Sequence, residues 1–176
     1  MTYPKNQILL IPPPQEQFNL LFRTSSEYKR NSQIYLVTVD FSIVLCNRFP
    51  ERVFVFSDNI EREGTGGQAI IRNCENSFGI RTKKRPKNIP SSFFTDRDYI
   101  HYRNLVNHDM QNLYELNKEH PIALSANGYG TGLAKLYLTA PKCFSYLVTK
   151  LNEFCDDNIF NPYYAPEATP DHGPTV

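Results

Sequence analysis

The chain has 176 residues, 40% of them hydrophobic and 13% aromatic with no Trp, enough for one packed domain with a short appendage. A balance of 19 Lys plus Arg against 18 Asp plus Glu, formally +1, argues against a protein that chiefly coats nucleic acid. The 4 cysteines form no C-x-x-C or mixed Cys/His spacing, which excludes the zinc motifs, and no apolar run approaches the roughly 20 residues of a membrane span.

In chain order, Ile8–Ile11 is a short apolar run halted by Pro12, Pro13 and Pro14, which neither a helix nor a central strand tolerates. Ile34–Val39 is rich in β-branched residues and predicts a strand, which Ser42–Leu45 either continues or follows with another. Val53–Phe56 is apolar without alternation, as expected of an inner strand covered on both faces. Gln68–Arg72 reads as a helix, and Phe78–Ile80 as a short strand ending at the basic run Arg81–Arg85. Pro86 and Pro90 mark a loop. Thr95 or Asp96 is placed to cap a helix with Tyr102, Val106, Met110, Leu113 and Leu116 on one face. Ile122–Ala126 predicts a strand. Pro141 suits the first turn of a helix in which Phe144, Leu147, Val148, Leu151, Phe154 and Cys155 recur at helical spacing. After Asp156 come Pro162, Pro166, Pro170 and Pro174, and the tail is expected to be extended or disordered. The chain thus divides into an N-terminal extension (1–50) able to add a strand, a core (51–155) and a Pro-rich tail (156–176). Strands alternating with helices predict an α/β sandwich with a mixed sheet. Without a signal pattern at the start, the expected setting is the cytoplasm, with reduced thiols and no metal.

Glycine is scarce, 8 in all, against an average usage of about 7%. Six of the glycines nevertheless fall in two clusters, Gly64, Gly66, Gly67 and Gly128, Gly130, Gly132. Each cluster follows an apolar strand and precedes a helix, the address at which open α/β sheets bind ligands. Bare backbone there lets successive N–H groups cradle an anion, so two such loops on neighbouring strands would grip a pyrophosphate from both sides. The alternative is a pair of ordinary turns. Neither loop has the Gly-Lys-Ser/Thr ending of a P-loop, nor the spacing of a nicotinamide fingerprint. The basic run around Lys83 is either a solvated edge or the source of one cation facing the ligand. Asp58 and Asn59 are turn formers or ribose and base contacts. Tyr129 either stacks on a flat ring or covers its own loop.

These segments resemble a macrodomain, the α/β module that binds ADP-ribose. Val53–Asn59 with Gly64-Thr65-Gly66-Gly67-Gln68-Ala69 is similar to the strand and Gly-rich loop that open that family's site. Ala123–Leu133, with Asn127-Gly128-Tyr129-Gly130-Thr131-Gly132-Leu133 at its centre, is similar to the later phosphate-binding loop. Arg81–Arg85 resembles the T-K segment of the terminal ADP-ribose protein glycohydrolase and antitoxin branch, and the V-F-V-F-x-D-N run also resembles small phage and bacterial proteins. The resemblance covers about residues 50–155 and implies a three-layer α/β/α sandwich with a mixed central sheet. It also implies that Asn59 contacts ribose, that Gly66 and Gly67 contact phosphates, and that Gly130, Thr131 and Gly132 grip the pyrophosphate. Lys83 falls on the branch's reactive lysine, but Ala134 stands where that branch carries Asp, so half of an acid/base pair is missing. The expected function is therefore capture of an ADP-ribose-like nucleotide, with a use in sequestering a nucleotide signal in a phage host's cytoplasm. The alternatives are an ADP-ribosyl hydrolase acting on ADP-ribosylated protein or nucleic acid through Lys83, and a protein-interaction domain. No cofactor and no membrane partner are expected, and the termini are available for self-association.

Overall fold

A computed structural model of the chain describes residues 34–163. The Ile8–Ile11 run and the tail prolines beyond Pro162 lie outside the described residues. Within them the chain forms an α/β fold around four strands: β1 (Ile34–Val37), β2 (Val53–Asn59), β3 (Ser77–Lys83) and β4 (Ile122–Ser125). Their order is β1-β4-β2-β3, so the two strands carrying the glycine clusters, β2 and β4, are neighbours. All three ladders are parallel, with Val53 opposite Ile122, Phe54 opposite Ser77, and Ile34 also opposite Ile122. The mixed sheet expected from sequence is therefore a parallel one among the described residues. Each strand here returns to the sheet through a crossover segment, which only parallel pairing needs.

Every residue of β4 and of Val53–Phe56 is buried. Because successive strand residues point to opposite faces, both faces of these strands are covered, which explains their unbroken apolar pattern. Two long helices supply much of the cover. The helix α2 (Tyr99–Glu119) begins at a capping box in which Thr95 N donates to Asp98 Oδ2 at 2.9 Å. Its stripe Tyr102, Val106, Met110 and Leu113 is buried. The helix α4 (Pro141–Cys155) opens with Pro141 in its first turn and buries Phe144, Leu147, Val148, Leu151, Phe154 and Cys155.

Two local expectations change. Ser42–Leu45 is not strand. Ser42 Oγ accepts from Leu45 N at 3.0 Å and caps a short helix, α1 (Ile43–Arg48), so the serine's capping chemistry prevails over the β propensity of Ile43 and Val44. The helix expected over Gln68–Arg72 is a 3-10 turn (Gly67–Ile71), with Arg72 N donating to Ala69 O at 3.0 Å. The second cluster feeds the short α3 (Leu136–Thr139) after Lys135, whose φ of 47° lies in the left-handed region. Among the described residues no helix is long and apolar enough to cross a membrane.

Candidate functional site

The carboxyl ends of β1, β2, β3 and β4 open onto a cavity of about 650 Å³. Gly64–Gln68 from the first cluster and Asn127, Gly128, Gly130, Thr131, Gly132 and Leu133 from the second both line it. The two glycine loops predicted from sequence are thus brought together as walls of one space. Lys83, at the end of β3 opposite Asn59, joins them.

What holds the walls is a set of short-range polar bonds. Gln68 bridges the two loops: its Oε1 accepts from Ser57 N at 2.8 Å and its Nε2 donates to Gly128 O at 2.8 Å. Gly130 N donates to Ser57 Oγ at 3.4 Å, and Thr131 Oγ1 donates to Asn127 O at 2.6 Å, tightening the second loop on itself. Gly130 has a φ of +76°, and a Cβ there would stand 2.8 Å from Leu136 Cβ. Only glycine meets both demands. In contrast, a Cβ on Gly132 would meet nothing within 4 Å, so its face is open. Among the described residues no carbonyl accepts from the N–H groups of Gly66, Gly67, Thr131 or Gly132. Leu133, 66% exposed, brings Cδ1 within 3.3 Å of the space a Cβ on Gly66 would occupy, so one methyl group reaches from the second loop to the first.

Beneath the first loop lies a charge network. The Asp58 carboxylate receives Arg62 Nη1 at 2.8 Å, Arg72 Nη1 at 3.1 Å, Arg72 Nη2 and Asn59 N at 2.7 Å. Arg72 Nε also donates to Gly64 O at 2.7 Å, and Arg62 Nη1 to Gly79 O at 2.6 Å. Asp109 of α2 extends the network by accepting from Arg62 Nη2 at 3.3 Å and Arg81 Nη2 at 2.8 Å. Arg62 holds a φ of 56°, a costly conformation that these bonds over-determine. Asp58 packs against Gly79, where a Cβ would lie 2.7 Å from the Asp58 Cβ.

Asp58, expected as a turn former or a ribose contact, borders the cavity, and its carboxylate accepts from two guanidiniums and a backbone N–H. Tyr129 does not stack over the cavity. It is 1% exposed, and its hydroxyl donates to Val55 O at 2.6 Å while accepting from Ser125 N at 2.9 Å, because a phenol in the core must satisfy its polar end. Asn59 lines the cavity with an amide already bonded to the Glu63 backbone, donating to its carbonyl at 2.7 Å.

Lys83 keeps its ammonium without a carboxylate partner among the described residues, 4.7 Å from the Phe93 ring centroid. Burial, and then the charge of Lys135, push its pKa below the usual lysine value. Ala134, standing where the glycohydrolase branch has Asp, lines the cavity and presents no carboxylate. Sequence reasoning missed Asp40, Phe41, Glu63 and Pro86 in the lining, and the supporting Arg62 and Arg72. Asp40 follows the apolar run Ile34–Val39 directly, the same strand-end address as the glycine loops, and its Oδ1 accepts from Asn127 Nδ2 at 3.2 Å. That address was the available signal.

Residues 37–150 match the model of a family of unknown function, DUF7831, and the chain belongs to that family. No curated protein and no solved structure matches the chain.

Proposed function

We propose that this member of the DUF7831 family binds an ADP-ribose-like nucleotide between its two glycine loops, within a macrodomain-like sandwich. The observation that carries this reading is the meeting of both loops, with uncommitted N–H groups, around one cavity beside Lys83. Backbone N–H groups and an unpaired ammonium favour phosphate oxygens. Asp40 and Glu63 disfavour a ligand that is phosphate throughout and suit the hydroxyl or amino groups of a nucleoside. A cavity of about 650 Å³ lies within the roughly 300–1,000 Å³ range of small-ligand sites. Ala134 removes the acid/base partner a hydrolase of the resembled branch would use, so binding without turnover is the preferred form.

Titration calorimetry with ADP-ribose, its cyclic isomers and related nucleotides tests this, with the recovered nucleotides separated by chromatography. A saturable heat with unchanged nucleotide is expected for the native chain. Gly132→Val is expected to keep the native thermal midpoint and lose the heat, because a Cβ at this cavity-lining position meets nothing within 4 Å. Absence of binding across the panel rejects the proposal. So does undiminished binding by Gly132→Val.

A second reading, ADP-ribosyl hydrolysis, is favoured by the lowered pKa of Lys83, which leaves more of its amine neutral and nucleophilic. Under it Lys83→Ala abolishes release of ADP-ribose from a modified substrate while ligand binding stays measurable. Equal release by the variant removes Lys83 from the chemistry.

A further inference from the structure

Away from the nucleotide cavity, Cys46 of α1 and Cys74, just after the 3-10 turn, line a second cavity of about 380 Å³. Their thiols are near enough to interact electrostatically across it. Both backbones are anchored. Asn76 Nδ2 donates to the carbonyls of Cys46, Phe49 and Arg52 at 3.0, 3.2 and 3.0 Å, binding the end of α1 to the strand that follows Cys74. Cys74 N donates to Ile71 O at 2.9 Å, and Cys74 O accepts from Ser77 Oγ at 2.8 Å. Two thiols from distant parts of the chain are therefore presented together by fixed main chain, with no bond between them.

We propose that Cys46 and Cys74 are a redox-active dithiol, a modification site at which a hydroperoxide converts the pair to an intramolecular disulfide. Cys74 is partly exposed and Cys46 fully buried, so Cys74 meets the oxidant first. Burial and the neighbouring Cys74 push the Cys46 thiol up to about 12, which keeps it protonated until the second step. In the first step the Cys74 sulfur attacks hydrogen peroxide, the O–O bond breaks, and the departing hydroxide takes the Cys74 proton as water while Cys74 becomes a sulfenic acid. In the second, the Cys46 sulfur attacks the Cys74 sulfur and the S–O bond breaks. The departing hydroxide takes the Cys46 proton, so two thiols and one peroxide give one disulfide and two waters. The new bond would enclose β2 and the whole first glycine loop in a covalent ring.

The test uses the full chain, reduced, desalted and treated with one equivalent of hydrogen peroxide, then alkylated with maleimide and digested without reductant. The expected product is a Cys46–Cys74 linked peptide, lighter by two hydrogens than the sum of its parts and separated again by dithiothreitol. In Cys46→Ser, Cys74 is expected to stop at the sulfenic acid and be captured by dimedone. Phenylarsine oxide, which bridges neighbouring thiols and needs no variant, is expected to block maleimide at both positions when the treated chain is afterwards unfolded in guanidinium chloride. Failure of the arsenical to protect the pair overturns the proposal. Progress of Cys74 to sulfinic acid with Cys46 still reduced does so as well.

Discussion

Asp58→Ala is expected to lower stability by about 3 kcal/mol, the low end of what removing one partner of a buried ion pair costs. That corresponds to a thermal midpoint lower by roughly 10 °C for a chain of this size. Asp58 is 2% exposed at its side chain and Arg72 15%, whereas Arg62 is 40% exposed and can turn its guanidinium to water. Arg72 has less freedom, since the same guanidinium also holds the carbonyls of Glu63 and Gly64. With the carboxylate gone, one cation stays desolvated and the Asn59–Gly64 segment loses the group around which it closes. Calorimetric melting of Asp58→Ala checks this, with Asp58→Asn, which keeps the shape and one acceptor, expected to fall between the two. A native midpoint for Asp58→Ala would mean that the network contributes nothing to the fold.

Gly130→Val is expected to cost about 3 kcal/mol, combining left-handed strain with overpacking, and, under the proposed function, to abolish nucleotide binding as well. The strain arises at a φ of +76° in a β-branched residue, and the overpacking from a Cβ 2.8 Å from Leu136 Cβ. The second wall would have to shift, carrying Gly130 N away from Ser57 Oγ. Denaturant unfolding measures the first effect, and calorimetry with ADP-ribose at a temperature where the variant is folded measures the second. Comparison with Gly132→Val separates the two positions: at 130 the backbone needs glycine, whereas at 132 only the proposed ligand would.

Much of the layout was legible because it depends on local pattern. The unbroken run Val53–Phe56 identified an inner strand, the helical stripes identified α2 and α4, and the strand-loop address put both glycine clusters at one edge of the sheet. Directions of individual side chains were not legible. Nothing adjacent in sequence says that Asp58 meets Arg72, or that Gly79 on the next strand makes room for it; the first follows from the 3-10 turn packing against β2, the second from pairing β2 with β3. Tyr129 lies among polar loop residues, yet its ring turns inward because Val55 O and Ser125 N supply partners for its hydroxyl. Ser42 acts as a cap among residues with strand propensity, a local bond that a window of β-branched residues conceals.

The Gln68 bridge has a consequence for selectivity. One amide reaches Ser57 N with its oxygen and Gly128 O with its nitrogen, so the jaw between the walls is set to the length of a single side chain. Under the proposed nucleotide binding, a ligand with a single phosphate is expected to bind more weakly than one whose span reaches both walls, which calorimetry with AMP against ADP-ribose checks. Gln68 is in that sense the rod that sets the spacing of the two walls.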